Sequence, residues 1–341
     1  MTIRVLIVDD SPTMRAILMS RLSAEPDISV IGTAGNAAEA RELIKLFNPD
    51  VVTLDIEMPG MNGLDFLEKI MQLRPTPVIV VSGSTQEGNA ITARALALGA
   101  VDCYAKADRN GGLQLDDNGK LASLIRQASK VRYNNRWPVA RRLSQQAQAT
   151  LGGDARLIAI GASTGGVEAL QVLLRDFPAD CPPVMIVQHV NARFAPAIAA
   201  TLDQVCPAKV VLAQSDMPVR PGQVYLAPGG DRHMTIGGSG GFYVKLRQGE
   251  PVSGHVPSID VLFESVAAMC GARSVGVLLT GMGCDGARGL LAMANAGAHT
   301  IAQDEATSTV FGMPRAAISL GAAGVVAPIG RIARHTFHKA A

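Results

Sequence analysis

Several features that mark large classes of protein are missing from this 341-residue chain. No apolar run approaches the roughly 18 residues that a membrane-spanning helix needs. The N-terminus enters a strand-like run at once, without the anatomy of a secretory signal peptide. A large excess of charge of one sign is also lacking, because 31 basic residues balance 29 acidic ones. We therefore expect neither a membrane protein nor a general nucleic-acid binder.

Cysteine is scarce as well, and its spacing is irregular. The five cysteines stand at positions 103, 181, 206, 270 and 284, and no two have Cys-x-x-Cys spacing. This pattern predicts free thiols in a reducing compartment and argues against a zinc site. We expect a cytoplasmic, monomeric protein whose length allows two domains, each with its own core.

The most informative stretch is a glycine-rich turn around Ser163. The apolar run 157–160 predicts a buried strand, and the apolar spacing after Gly166 predicts a half-buried helix. Ser163 therefore lies at a strand-to-helix turn, where the free N–H groups of the helix would face its hydroxyl.

Three interpretations of this turn remain open from the motif alone. Gly161-x-Ser163-x-Gly165 matches the nucleophile elbow of serine hydrolases. A glycine-rich strand-to-helix turn is also typical of a phosphate or dinucleotide cradle, and a serine there can simply cap the helix. The dinucleotide interpretation is the weaker because no acidic residue ends a second strand about 20 residues later.

In the N-terminal half, strand-like runs alternate with helix-like segments, which predicts a parallel sheet covered on both faces. Polar residues follow the strands at the edge where their carboxyl ends meet: Asp9, Asp10, Asp55, Ser82 and Lys106. Clustered carboxylates repel one another unless a cation joins them, and hard oxygen ligands favour Mg²⁺. An aspartate beside the metal can accept a phosphoryl group, while Ser82 and Lys106 contact its oxygens.

Residues 3–125 resemble the response-regulator receiver domain through three motifs and Lys106: Val8-Asp-Asp-Ser11, Leu54-Asp-Ile-Glu-Met-Pro-Gly-Met-Asn-Gly63 and Val81-Ser-Gly83. The resemblance implies that Asp55 is the phospho-acceptor. It also implies that Asp9, Asp10, Asp55 and the backbone carbonyl of Glu57 bind Mg²⁺. The chain departs from the family pattern at Cys103, where receivers usually carry an aromatic switch residue, and Tyr104 is the nearest candidate to replace it.

The C-terminal half repeats the pattern with different chemistry. His189 follows the apolar run 183–187, and Asp285 lies in the loop after the run 274–279. Ser163, His189 and Asp285 would then meet at one sheet edge, as nucleophile, general base and orienter of the imidazole. Their order along the chain differs from that of α/β-hydrolases. His233 and His255 lie in loop-like stretches without metal-site spacing, and we interpret them as cleft or structural residues.

Residues 154–335 resemble the CheB methylesterase family. The motifs are Gly161-Ala-Ser-Thr-Gly-Gly166, Gln188-His189, Leu226-Ala-Pro-Gly-Gly-Asp-Arg-His233, Thr280-Gly-Met-Gly-Cys-Asp-Gly286 and Val310-Phe-Gly-Met-Pro314. The resemblance implies a Ser163–His189–Asp285 triad, with the Met282 backbone N–H in the oxyanion hole and no cofactor for the reaction. The implied reaction hydrolyses glutamate γ-methyl esters on methyl-accepting chemoreceptors and deamidates their glutamines.

We therefore expect two doubly wound α/β domains: a flavodoxin-like receiver (1–125), a linker (126–153) and a Rossmann-like catalytic domain (154–341). The linker region is basic, with seven Lys or Arg and no acid between 118 and 153, which indicates a solvated tether or a docking patch for an acidic partner. A chemotaxis histidine kinase would phosphorylate the receiver and relieve its inhibition of the esterase. A receiver attached to a non-catalytic docking domain, or a nucleotide-dependent oxidoreductase, remains the alternative.

Overall fold

The computed structural model describes residues 2–58, 63–83, 86–106, 119–131, 157–238 and 240–337, with the backbone alone at 86 and 87. The chain forms two compact units that divide between Tyr133 and Asn134. No helix within these described ranges has the length and apolar character that a bilayer crossing requires.

The first unit is a five-stranded parallel sheet with strand order β2-β1-β3-β4-β5. Its elements are β1 (Ile3–Val8), α1 (Pro12–Ser23), β2 (Ile28–Ala34), α2 (Ala37–Phe47), β3 (Val51–Asp55), α3 (Gly63–Leu73), β4 (Val78–Ser82), α4 (Gln86–Ala97), β5 (Asp102–Ala105) and α5 (Lys120–Ala128). Helix α5 ends three residues beyond the expected boundary at 125. The motif positions 59–62 lie outside the described residues.

The second unit is a seven-stranded parallel sheet with strand order β14-β13-β12-β6-β7-β9-β8, accompanied by an antiparallel hairpin, β10–β11. The strands are β6 (Leu157–Ala162), β7 (Val184–Gln188), β8 (Lys209–Leu212), β9 (Gln223–Leu226), β10 (Arg232–Gly237), β11 (Tyr243–Gln248), β12 (Ser274–Leu278), β13 (His299–Gln303) and β14 (Val325–Ala327). The helices are α6 (Gly166–Arg175), α7 (Ala195–Asp203), α8 (Ile259–Cys270), α9 (Ala287–Asn295), α10 (Met313–Ser319) and α11 (Ile329–Phe337). The two parallel sheets confirm the predicted fold class, whereas the hairpin was not predicted.

The central strands of the second sheet explain why the sequence signal was clear there. Every residue of β6, β7 and β12 is buried, because helices cover both faces of a parallel sheet. Such strands are continuous apolar runs, and they end at the first polar side chain. Strand β6 lies between β7 and β12, so the residues that follow these three strands come together at one sheet edge.

Candidate active site

The turn that carries Ser163 is held by both neighbouring strands. The Ser163 N–H donates to the carbonyl of Thr280 (3.0 Å), just beyond β12, and the Ser163 carbonyl accepts from Gln188 Nε2 (2.8 Å), at the end of β7. Gly165 has the left-handed φ of 73°, and a Cβ there would lie 2.4 Å from the side chain of Thr309. The half-buried Ser163 is therefore fixed at the start of α6.

His189 lies beside this turn because it follows the paired end of the next strand. Its N–H donates to the carbonyl of Ala162 (3.0 Å), the residue before Ser163. The His189 Nε2 and Asp285 Oδ2 atoms are 2.8 Å apart. His189 Nδ1 is buried and has no hydrogen-bond partner among the described residues. Since a carboxylate only accepts, Nε2 carries the hydrogen and Nδ1 is the basic nitrogen.

Asp285, in the loop before α9, is fully buried against the N-terminus of α8. Its carboxylate accepts hydrogen bonds from the Ser258 hydroxyl (2.7 Å), and from the backbone N–H groups of Ile259 (2.8 Å), Asp260 (3.0 Å) and Gly286 (3.0 Å). Burial alone would raise the pKa of Asp285, but His189, the Ile259 N–H and the Ser258 hydroxyl together hold this pKa below its usual value. The carboxylate therefore stays ionised where it faces the imidazole.

Ser258 links Asp285 to the β10–β11 hairpin. Its N–H donates to His233 Nδ1 (3.1 Å), and His233 Nε2 pairs with the carbonyl of Glu250 (3.0 Å). Ser258 was not predicted as a site residue from the sequence. A serine before an acidic first turn is a typical helix N-cap, but that pattern does not tell which carboxylate the hydroxyl faces.

His255 packs on the catalytic histidine candidate. The His189 and His255 rings are stacked, with centroids 3.8 Å apart and planes 4° from parallel. Burial and the neighbouring His189 lower the pKa of His255, against the opposing effects of Asp285 and a backbone hydrogen bond. The second histidine is therefore neutral near neutral pH.

The loop that carries Met282 is tied down at the residue directly before it. The Gly281 N–H donates to the carbonyl of Val310 (3.0 Å), and the Gly281 carbonyl accepts from the Met313 N–H (2.9 Å). A Cβ on Gly281 would lie 2.7 Å from the Cβ of Ser163, which shows how closely the loop approaches the serine. In the part of the chain that the structure describes, the Met282 N–H donates to no oxygen. This amide is free to face an oxyanion.

The receiver site is a pair of buried carboxylates bridged by one ammonium group. Lys106 Nζ lies 2.6 Å from Asp55 Oδ2 and 2.9 Å from Asp9 Oδ2. Burial raises the pKa of Asp9, with Lys106 opposing the shift. Burial would lower the pKa of Lys106, but its hydrogen bond and attraction to Asp55 raise it. The two carboxylates that Lys106 bridges therefore stabilise its charged form.

The same edge of the sheet can accept a divalent cation. Ligand oxygens of Asp9, Asp10 and Asp55 lie within 4.8 Å of one another, and Asp10 is exposed to solvent. The Glu57 N–H donates to Asp55 Oδ1 (3.0 Å), which brings its peptide to the same site. Three carboxylates with one lysine leave excess negative charge, and an all-oxygen donor set fits Mg²⁺. Ser82 is fully buried at the end of β4, next to this cluster in the sheet.

Two residues near Lys106 bear on the aromatic switch. Cys103 is buried at the position that aromatic residues usually occupy in receivers. Tyr104 is buried as well, and its hydroxyl accepts a hydrogen bond from the guanidinium of Arg21 in α1. Because successive side chains of a strand point to opposite faces, Tyr104 lies on the α1 side, away from the side that Cys103 faces. Tyr104 does not occupy the place that Cys103 leaves without a ring.

Known proteins match both units. Residues 158–336 match the CheB methylesterase family, and residues 5–114 match the response regulator receiver domain. The chain is 50% identical over 320 residues to a protein-glutamate methylesterase/protein-glutamine glutaminase of Caulobacter vibrioides, which covers 94% of this chain and 93% of that relative. A protein of the same description from Bordetella avium is 50% identical over 332 residues, 96% of this chain and 94% of the relative. The solved catalytic domain of Thermotoga maritima CheB methylesterase matches with a TM-score of 0.52 and 31% identity, over 54% of this chain and 97% of that domain.

Proposed function

The chain belongs to the CheB methylesterase family, and from this premise we propose that it is a phosphorylation-regulated chemoreceptor methylesterase that uses a Ser163–His189–Asp285 triad. Its enzyme class is protein-glutamate methylesterase/protein-glutamine glutaminase, the description that relatives carry over nearly the whole chain. The substrates are glutamate γ-methyl esters and glutamines of methyl-accepting chemoreceptors, and the enzyme acts in the cytoplasm.

The observation that carries this proposal is the 2.8 Å pair of His189 and Asp285, which leaves Nδ1 as the basic nitrogen beside the Ser163 turn. In the proposed reaction, Nδ1 takes the hydroxyl proton as Ser163 Oγ attacks the ester carbonyl. Asp285 stabilises the imidazolium, and the Met282 N–H binds the oxyanion. The imidazolium then gives the proton to the leaving methoxide oxygen, which departs as methanol, or to the amide nitrogen of glutamine, which departs as ammonia. Water releases the acyl group as glutamate by the same steps.

The receiver supplies the control in this proposal. Asp55 accepts the phosphoryl group from a chemotaxis histidine kinase, and Ser82 and Lys106 contact the phosphoryl oxygens. Asp9, Asp10, Asp55 and the Glu57 carbonyl would hold Mg²⁺, which offsets the charge of the incoming group. The receiver inhibits the esterase as a tethered domain, and phosphorylation favours the uninhibited state by a difference in free energy.

Methanol release from methylated receptor, with and without a small-molecule phosphodonor, tests the enzymatic part. The full chain should release methanol, a Ser163→Ala variant should not, and a Ser215→Ala variant, which changes an exposed serine of the same unit, should match the parent. A fluorophosphonate probe should label the parent at Ser163. A parent chain that folds but neither releases methanol nor reacts with the probe would instead be a docking module.

Cys284 offers a direct test of the regulatory part. It is the exposed cysteine, one residue before Asp285, while the other four are buried. If the receiver covers the catalytic cleft, a bulky thiol reagent should label Cys284 faster after phosphodonor and Mg²⁺ are added, and a Cys284→Ser variant should give no signal. A fragment that starts near Gly153 should also be faster than the unphosphorylated full chain. Equal labelling in both states, together with a fragment no faster than the full chain, would contradict inhibition by the receiver.

A further inference from the structure

We propose that His255 is a positioning residue for this reaction, and that its ring holds the plane of the His189 imidazole by face-to-face stacking. The inference rests on the proposed role of His189 as general base. It concerns a side chain that lies 66 positions further along the chain, on a loop before α8.

The stack supplies a constraint that the Asp285 hydrogen bond lacks. A single hydrogen bond at Nε2 fixes one point of the His189 ring and leaves rotation about that contact open. The other ring nitrogen, Nδ1, has no hydrogen-bond partner among the described residues that would stop this rotation. Because a nitrogen lone pair lies in the ring plane, any tilt of the ring changes the direction from which Nδ1 can accept a proton. The parallel His255 ring, 3.8 Å away, opposes such a tilt.

His255 is itself held firmly enough to serve in this way. Its Nδ1 lies 2.9 Å from the carbonyl of Ser253, and its backbone exchanges two hydrogen bonds with Val252 (3.0 and 3.2 Å). The Ser253 hydroxyl donates to Asp260 Oδ2 (3.0 Å), in the first turn of α8. The same turn of α8 binds Asp285. The His255 loop and Asp285 are thus both anchored at the N-terminus of α8.

The stack also suits the charge that His189 gains during the reaction. A cation is attracted to the face of a neutral aromatic ring, whereas a second cation in that place would repel it. The Ser253 carbonyl accepts a hydrogen from His255 Nδ1, and a neutral ring then keeps Nε2 unprotonated. Burial, which lowers the pKa of His255, acts in the same direction.

A shared metal ion would be the other explanation for two histidines and an aspartate in one place. Ligand atoms of His189, His255 and Asp285 do come within 4.8 Å of one another. An imidazole binds a metal in its own ring plane at about 2.0–2.1 Å. Two rings that are parallel and 3.8 Å apart cannot both direct a lone pair at one ion, so the stacked geometry favours positioning over metal binding.

The test compares three replacements in the full chain: His255→Phe keeps an aromatic face without ring nitrogens, His255→Leu keeps volume without that face, and His255→Ala removes both. His255→Phe should retain kcat within roughly threefold. His255→Leu and His255→Ala should each lose about 10- to 100-fold in kcat, because small misplacements of a catalytic group have effects of that size. KM should change by less than about twofold, since receptor binding is not affected. His335→Ala, in α11, is the control and should behave as the parent.

A spectroscopic measurement separates positioning from a general loss of structure. ¹⁵N NMR of histidine-labelled protein should show His189 as the Nε2–H tautomer in the parent and in His255→Phe. In the leucine variant, which keeps the volume, the His189 signals should broaden or report a mixture of tautomers. Retained activity in His255→Leu would overturn the proposal, and so would a folded His255→Phe that is as slow as His255→Leu. A parent chain without esterase activity would instead contradict the proposed function.

Discussion

Replacing Asp285 with asparagine removes the one group that accepts hydrogen bonds from both the imidazole and the start of α8. Oδ2 accepts from His189 and from the Ile259 N–H, while Oδ1 accepts from Ser258 and two backbone N–H groups. An asparagine has one acceptor oxygen and one amino group. In either orientation its amino group faces a buried backbone N–H that then loses its acceptor.

The expected loss of stability follows from this one unpaired backbone N–H. A buried donor without a partner costs about 1–3 kcal/mol, and bonds to a charged acceptor are the stronger ones. We expect Asp285→Asn to lower the free energy of unfolding of the catalytic unit by about 2–4 kcal/mol. Turnover should fall by about three to four orders of magnitude, because His189 loses the partner that selects its tautomer.

The pH dependence gives the same experiment a second readout. The pKa of Asp285 is held below its usual value, so the ionised carboxylate stabilises the fold above about pH 4. This contribution is lost as the pH falls through the folded-state pKa. The stability gap between the parent and Asp285→Asn should therefore be full at pH 7 and should narrow in acid.

Two measurements decide the matter: denaturant unfolding of the catalytic unit, and methanol release from methylated receptor. Ser258→Ala is the matched variant, since it removes one donor to Asp285 and keeps the charge. We expect it to lose about 1–2 kcal/mol and much less turnover than Asp285→Asn. A folded Asp285→Asn protein with near-parental turnover would remove Asp285 from the mechanism. Equal turnover losses in the two variants would show that the charge is not what matters.

Three further predictions concern single residues. Acetyl phosphate with Mg²⁺ should phosphorylate Asp55, as read by mass spectrometry, and EDTA should prevent this modification. Asp55→Asn should keep the basal esterase activity and lose its stimulation by the phosphodonor. A phosphate on another residue would contradict the assignment. Gly281→Ala should cost at least about 100-fold in kcat with an unchanged circular dichroism spectrum, because the new Cβ would lie 2.3 Å from Met313 Sδ and 2.7 Å from Ser163 Cβ; parental turnover would refute the close approach. Burial raises the pKa of Glu168 to about 7, so its ionisation opposes folding increasingly as the pH rises from 4.5 to 7. Glu168→Gln should then raise the free energy of unfolding at pH 8 by up to about 3 kcal/mol, which is read as a higher melting temperature, and should have little effect at pH 4. Equal effects at both pH values would contradict this.

The elements that the sequence predicted well share one physical property. Strands β6, β7 and β12 are buried on both faces, so each is an unbroken apolar run that stops at a polar residue. Parallel pairing then brings Ser163, His189 and the Asp285 loop to one edge without further information. The strand β2 went unpredicted because most of its residues are only half-buried, and the alternation of its side chains is weak.

His233 and His255 have different roles that their sequence contexts do not distinguish. Both lie in polar, glycine-containing stretches, and the sequence gives no reason to treat them differently. In the structure, His233 belongs to β10, and its Nδ1 accepts from the amide that begins the α8 cap, so both of its nitrogens are occupied by the framework. His255 has one nitrogen bound by its own loop and presents its face to His189. What separates them is how the hairpin and the loop before α8 pack on that helix, which is a tertiary property that neither periodicity nor spacing encodes. A histidine scan should therefore divide them: loss of His233 should act chiefly on stability, and loss of His255 chiefly on kcat.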